Sequence, residues 1–179
     1  MKIKGELIEN RIIVWDIEDS RKLYSSGFYG KPLGIPKPKD FNFSAPLILD
    51  LVEGYYLFEK GILEIYKSGK KMNAKELRKF CRREYVDFDL KYKVYKVLRD
   101  SGLIVTPGIK FGSDFAVYKK GPGLEHAPFL IQVFKPTDNI TAPQVVLAGR
   151  LATTVRKHII LAIASKNRVH FLGLEWWKP

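Results

Sequence analysis

The chain has 179 residues, of which 46% are hydrophobic, and its 31 lysines and arginines against 19 aspartates and glutamates give a formal net charge of +12. The hydrophobic fraction excludes a disordered chain, and the single cysteine, Cys81, excludes a disulfide framework or a cysteine-rich zinc site. The positive charge favours a polyanionic partner such as nucleic acid, because cationic side chains release counterions from a phosphate backbone. No apolar run is long enough to span a bilayer and no signal peptide is recognisable, so we expect a cytoplasmic protein with no membrane partner.

The first half of the chain is predicted to form a small mixed α/β domain. Its elements, in chain order, are one or two strands within Ile3–Ile17, the start of a helix at Asp19–Tyr24, a loop over Tyr29–Pro38, a helix from Ser44 to Gly61, a strand at Ile62–Tyr66 and a helix at Ala74–Glu84. Ser44 is expected to cap the long helix because Pro46 suits its first turn, and Asn73 is expected to cap the helix that follows. The domain boundary is predicted near Tyr85–Phe88, which gives domains of residues 1–85 and 86–179.

The second half is predicted to be an α/β domain with a mixed central sheet. Its elements, in chain order, are a helix at Asp89–Ser101, strands at Leu103–Val105, Phe115–Lys119 and Phe129–Phe134, a helix from Thr141 to about Lys157, and strands at Ile159–Ala164 and Val169–Leu174. The segment Phe129–Phe134 is apolar except for Gln132, which is typical of a central strand covered on both faces. The fold class is therefore α/β.

Two residues around one loop are candidates for catalysis. His126 lies near the end of a loop at residues 119–127 that is rich in glycine and charge, and functional residues concentrate on such loops. Tyr118 ends the preceding strand, on the face opposite Phe115 and Val117. Each residue alone also fits a plain interpretation, as a solvated loop histidine or a partly buried structural tyrosine.

A third candidate lies on the helix that begins at Thr141. Lys157 ends this helix, and Arg150 lies two turns earlier on the same face. A cation near the C-terminal end of a helix is favourable for the helix dipole alone, which explains Arg156 and Lys157 but does not require Arg150 to align with them.

A tyrosine, a histidine and a lysine together suit one reaction, in which an RNA 2′-hydroxyl attacks the adjacent phosphorus. The reaction needs a base, an acid for the leaving 5′-oxygen and a cation for the phosphoryl charge, and no metal or cofactor. A metal-dependent nuclease would instead need clustered carboxylates. The nearest such group is Asp87 and Asp89 with Lys91, where helix capping is the ordinary interpretation, so no metal site is predicted.

Several segments, in order, resemble the tRNA-intron endonucleases of archaea and eukaryotes. They are Glu53–Glu64 in the first half and Tyr92–Val105, Gly108–Tyr118, His126–Leu130 and Arg150–Lys157 in the second. The resemblance covers most of the chain and is weakest before Ser44. It implies an N-terminal mixed domain and a C-terminal domain akin to the restriction-endonuclease fold. It also implies cleavage of precursor tRNA at a bulge–helix–bulge motif, which leaves a 2′,3′-cyclic phosphate and a 5′-hydroxyl.

The same resemblance implies roles for individual residues. Tyr118 is expected to act as general base, His126 as general acid and Lys157 as the stabiliser of the transition state. Arg150 and Trp176 are expected to grip an unpaired base of the bulge between two flat groups. Alternatives are that both C-terminal tryptophans only pack, that the chain is a non-catalytic structural subunit, that it is an inert RNA-binding module, or that it is a metal-dependent DNA nuclease.

The loop between the last two strands bears on assembly. In family members that form homotetramers this loop is acidic and docks into a basic pocket of the opposing dimer, whereas Ser165–Arg168 here carries two positive charges and no acid. Like charges at an interface oppose that pairing. The departure predicts a heterotetramer, with two copies of this chain and two of a separate structural subunit, and the homotetramer is the alternative.

Overall fold

The structure is a computed structural model that describes residues 2–36, 38, 40–146, 149 and 158–174. The chain divides into two compact units, residues 1–89 and 90–179, and each contains a mixed sheet with helices. The α/β fold class is confirmed. The boundary placed between residues 85 and 86 stays a prediction about where independently folding domains divide. No helix among the described residues is long and apolar enough to cross a membrane.

The first unit contains a six-stranded sheet in the order β3-β4-β2-β1-β5-β6, in which only β1 and β5 run parallel. Its elements are β1 (Ile3–Ile8), β2 (Arg11–Val14), α1 (Ile17–Gly27), β3 (Lys31–Pro32), β4 (Leu47–Leu49), α2 (Leu51–Glu59), β5 (Leu63–Lys67), β6 (Lys70–Lys71) and α3 (Ala74–Glu84). The two strands near the start of the chain are confirmed. The helix capped by Asn73 is also confirmed, and Asn73 and Glu76 form a reciprocal capping box.

The helix predicted from Ser44 is wrong in its first part. Leu47–Leu49 form a strand that pairs antiparallel with β2, and Leu47 and Leu49 are fully buried. The helix starts only at Leu51, where Asp50 is the cap and the Asp50 N–H donates a hydrogen bond to the Glu53 carboxylate. Burial of two leucines in the sheet and a complete capping box together outweigh the helix-start signal of Ser44 and Pro46. The loop predicted over residues 29–38 likewise contains the two-residue strand β3.

The second unit begins with a helix and contains a five-stranded sheet in the order β11-β10-β9-β8-β7. Its elements are α4 (Phe88–Asp100), β7 (Ile104–Pro107), a 3-10 turn (Ile109–Phe111), β8 (Phe115–Tyr118), β9 (Phe129–Phe134), β10 (His158–Ala164) and β11 (Val169–Leu174). The central position of β9 is confirmed, and it runs parallel to β10 and antiparallel to β8. Residues 142–146 and 149 of the helix predicted from Thr141 are helical; its remaining residues lie outside the described part of the chain.

The two faces of this sheet are packed differently. On one face the ring of Phe115 meets Tyr95 of α4, with ring centroids 5.7 Å apart, and Tyr92, Tyr95 and Leu98 of that helix are buried. The other face carries a second apolar cluster, whose buried members are Ala116, Ala127, Leu130, Ile159 and Leu161. Tyr118 packs against this second cluster, so its side chain belongs to the face opposite α4.

Candidate active site

Three segments of the chain meet at one end of the C-terminal sheet. Strand β8 finishes there, and β9 and β10 both start there, because Val117 and His158 are each register partners of Phe129. The His158 N–H also donates to the Pro128 carbonyl oxygen over 2.8 Å. The end of the Tyr118 strand, the segment just after His126 and the first residue after Lys157 are therefore backbone neighbours.

Tyr118 is partly buried against the apolar cluster on its face of the sheet. Burial raises the pKa of its phenol above the ordinary value of about 10, and the negative charge of Glu125 raises it further. A hydrogen bond with the Thr106 hydroxyl acts in the opposite direction but does not cancel the effect of burial. Tyr118 therefore remains a neutral phenol at neutral pH, which bears directly on its predicted role as a base.

His126 is exposed on the loop that connects β8 to β9, and the residue that follows it, Ala127, is buried in the cluster beneath Tyr118. The loop contains two glycines in its turns. Gly121 and Gly123 have φ angles of 126° and 90°, which residues other than glycine rarely adopt. The loop therefore holds its histidine in solvent while both of its ends are attached to the packed sheet.

The carboxylate of Glu125 organises this loop from within. One of its oxygens accepts the backbone N–H groups of Lys119 and Lys120, each over 2.5 Å, and hydrogen bonds from these groups and from Gly121 lower the pKa of Glu125. Sequence reasoning did not identify Glu125, because an acidic residue in a charged loop gives no signal by itself.

Additional positive charge lies at the same end of the sheet. The ammonium group of Lys119 lies 5.7 Å from the centroid of the Phe129 ring, and that ring is 5.7 Å from the imidazole of His158. Neither Lys119 nor His158 was predicted as a site residue. Their proximity to each other depends on the parallel pairing of β9 with β10, which the sequence pattern does not specify.

Three predicted site residues, Arg150, Lys157 and Trp176, lie outside the described residues, so their roles stay predictions. The structure brings together the segments of Tyr118 and His126, and it describes the chain again from His158 onward.

Asp89, one of the two acidic residues considered for a metal site, is engaged by cations. Asp89 accepts from Arg78 at 3.0 Å and from Arg82 at 2.6 Å. Lys91 pairs at 2.8 Å with Asp114, whose other oxygen accepts the Val133 N–H. Across the described ranges no three acidic, histidine or cysteine side chains are grouped so that they could hold a metal ion. Asp89 and Lys91 thus form ion pairs with different partners.

Comparison with known proteins places the chain in a family. Residues 3–78 match the family model of the tRNA intron endonuclease N-terminal domain, and residues 88–171 match that of its catalytic C-terminal domain. A tRNA-splicing endonuclease of Hyperthermus butylicus is 48% identical over 99% of both chains. The chain belongs to the tRNA-splicing endonuclease family. Further family members from Sulfurisphaera tokodaii and Saccharolobus solfataricus are 39% and 38% identical over at least 97% of each chain.

Membership of the tRNA-splicing endonuclease family confirms the resemblance found in the sequence, including its archaeal character. Tyr118 and His126 both fall inside the segment matched by the catalytic domain, as do the positions of Arg150 and Lys157. Trp176 lies beyond the matched segment, so the family model does not cover the position of that prediction.

Proposed function

We propose that this chain is the catalytic subunit of a cytoplasmic tRNA-splicing endonuclease that cuts precursor tRNA at the bulge–helix–bulge junctions of its introns. The family acts on precursor tRNA, and the net charge of +12 suits such a substrate. The observation that carries the proposal is the meeting of Tyr118 and the His126 loop at one end of the sheet, inside the segment matched by the catalytic domain.

The proposed chemistry needs no metal ion. The 2′-hydroxyl at the junction attacks the adjacent phosphorus, Tyr118 takes the hydroxyl proton, and His126 gives a proton to the departing 5′-oxygen. Lys157 stabilises the charge that builds on the phosphoryl oxygens. One P–O bond forms and one breaks, which leaves a 2′,3′-cyclic phosphate and a 5′-hydroxyl. His126 is suitably exposed to reach a leaving group that is itself part of a large substrate.

The test of this function is cleavage of a bulge–helix–bulge RNA in excess EDTA by the chain assembled with its structural subunit, followed by analysis of the new 3′ end. We expect cutting at both junctions and a cyclic phosphate. Loss of activity in EDTA would favour the metal-dependent nuclease, as would a linear 3′-phosphate or 3′-hydroxyl on the products formed when a metal ion is present. Tight RNA binding without cutting would favour the structural subunit or the inert RNA-binding module.

The raised pKa of Tyr118 leads to a prediction about pH. If the tyrosinate is the base, its fraction grows about tenfold per pH unit until pH exceeds the pKa, which burial keeps above about 10. The ratio of the cleavage rates of wild type and Tyr118→Phe cancels the groups that both proteins share, and it isolates this ionisation over the pH range in which the residual rate of the variant does not itself rise through solvent hydroxide. We expect that ratio, measured in single-turnover assays between about pH 6 and 9, to rise close to tenfold per unit.

A pH-independent ratio, in a range where the residual rate of Tyr118→Phe does not rise with hydroxide, would contradict this use of Tyr118. It would indicate that the phenol acts in its neutral form, as a hydrogen-bonding partner that orients the 2′-hydroxyl.

The proposed function includes recognition of the bulge by Arg150 and Trp176, which would stack on an unpaired base. Stacking of this kind contributes about 1–3 kcal/mol per base. The affinity for an uncleavable bulged RNA should fall by that amount in Trp176→Ala, and unchanged affinity in both Arg150→Ala and Trp176→Ala would refute the clamp.

The loop between β10 and β11 supports the proposed heterotetramer. The Ser165 N–H donates to the Arg168 carbonyl oxygen over 2.8 Å, and the ammonium of Lys93 donates to the carbonyl oxygens of Ser165 and Lys166, each over 2.8 Å. The loop is thus a tight turn tied to α4, with Lys166 and Arg168 exposed. A rigid basic loop is poorly suited to a basic pocket on a second copy of the same chain.

We expect the purified chain alone to be at most a dimer with little activity, and to form an active heterotetramer when a structural subunit with an acidic loop is added. Light scattering with and without that subunit measures the assembly state. In a matched variant, Lys166→Glu with Arg168→Glu, the chain alone should gain higher-order assembly. A stable and fully active tetramer of the unaltered chain would restore the homotetramer.

A further inference from the structure

Glu125 connects the backbones beside the two proposed catalytic residues. Its carboxylate accepts N–H groups from Lys119 and Lys120, which directly follow Tyr118, and its own peptide directly precedes His126. The loop between these points is short and turns through Gly121, whose carbonyl oxygen accepts the N–H groups of Leu124 and Glu125, each over 3.2 Å. The carboxylate therefore closes the loop at its base.

The residues on either side of this closure are fixed by packing. Tyr118 contacts the apolar cluster of its sheet face, and Ala127 is a buried member of the same cluster. His126 itself is exposed, so no packing of its side chain within the described residues defines where the imidazole lies. Its position depends on the backbone at residues 125 and 126, and the pair of short hydrogen bonds to the Glu125 carboxylate restrains that backbone.

Glycine makes this restraint important. With Gly121 and Gly123 in the loop, the unrestrained backbone has many accessible conformations, and the loop tip bears the exposed side chain of Leu124. A catalytic acid must lie within hydrogen-bonding reach of the leaving oxygen, and a misplacement of about 1 Å can slow a reaction roughly 10²-fold.

We propose that Glu125 is a positioning residue for His126: its carboxylate holds the loop in the conformation that brings the imidazole to the leaving 5′-oxygen. The inference rests on the proposed function. Glu125 does not touch substrate in this role, and it transfers no proton. Its carboxylate is held ionised by its backbone donors, so the closure persists throughout the neutral pH range.

The test compares two substrates that differ in one atom. In the first the leaving group is the natural 5′-oxygen, and in the second it is a 5′-sulfur, which departs as a thiolate and needs no proton, because thiols have a pKa near 8.5. On the oxygen substrate we expect Glu125→Ala to lower kcat by about 10–100-fold with little change in KM. On the sulfur substrate the same variant should cut within a few-fold of wild type. Glu125→Gln, which keeps an oxygen acceptor, should retain most of the activity.

The chain offers a matched control. Asp138 accepts the Lys135 N–H over 2.7 Å in the loop after β9, at the opposite end of that strand, so Asp138→Ala removes a similar closure away from the site. It should leave both rates near wild type. If Glu125→Ala fails to fold, Glu125→Asp, whose side chain is one methylene too short to reach both donors, carries the same comparison.

The outcomes separate this inference from the proposed function. A wild-type rate in Glu125→Ala, an equal loss on the oxygen and sulfur substrates, or an equal loss in Asp138→Ala would overturn the positioning role. His126→Ala, tested on both substrates, calibrates the assay. If His126→Ala cuts the oxygen substrate normally, the proposed function fails, whatever Glu125 does.

Discussion

A precursor tRNA with 2′-deoxyribose at both scissile positions should not be cut by this protein at a measurable rate. The nucleophile in the proposed reaction is the 2′-hydroxyl of the RNA, and its removal leaves nothing to attack the phosphorus. Binding should be almost unchanged, because two hydroxyls are a small part of an interface dominated by phosphate contacts. Single-turnover cleavage of end-labelled precursor measures the effect, and a precursor with the deoxyribose placed three nucleotides away is the control.

Cleavage of the deoxy substrate would require a different nucleophile. Water would be the natural choice, and a metal ion would then be needed to activate it. Asp89 and Asp114 already accept from arginine and lysine side chains, so such a site would have to recruit other groups or break those ion pairs.

The variant His126→Ala should cut the precursor roughly 10²–10⁴-fold more slowly than wild type, with little loss of RNA affinity. That is the usual contribution of a positioned acid or base, since the departing 5′-oxygen then leaves without a proton. Lys157→Ala is expected to lose a similar factor through the uncompensated charge on the phosphoryl group. Rates are best measured under single-turnover conditions with the structural subunit present.

His170→Ala is the matched control for this prediction. His170 is also exposed, and it lies in β11, the edge strand of the same sheet. The control should cut at the wild-type rate once its assembly state and thermal stability are shown to be unchanged. A normal rate in His126→Ala would remove the general acid from the mechanism and, with it, the assignment of this loop as catalytic.

Helix α3 shows where sequence reasoning about the fold succeeds. Asn73, Glu76 and the amphipathic pattern between them and Glu84 act locally, and the structure begins and ends the helix at the predicted residues. The segment before α2 shows where it fails. Ser44 and Pro46 are local signals of the same kind, but Leu47–Leu49 pair with β2, about 35 positions earlier in the chain, and no local pattern indicates such a pairing.

The candidate site divides in the same way. Tyr118 and His126 were predicted from a strand end and a loop, and the structure places them on a strand end and a loop beside it. The Glu125 closure, the Phe129–His158 contact and the raised pKa of Tyr118 were not predicted. Each depends on how distant segments pack or on the geometry of backbone donors, and a single sequence carries neither.

The parallel pairing of β9 with β10 has a consequence for how the enzyme matures. The β8–β9 hairpin brings Tyr118 and His126 together through contacts between near neighbours in the chain, so it can form early in folding. The parallel partner pairs with β9 only after the chain beyond Phe134 has returned to the starting end of that strand at His158, which is a slower, non-local step. In a chain still emerging from the ribosome, Tyr118 and His126 would therefore be in place before the segment that contains Lys157 has folded. Under the proposed function, a newly made molecule would therefore be unable to cut precursor tRNA until its last strands are in place.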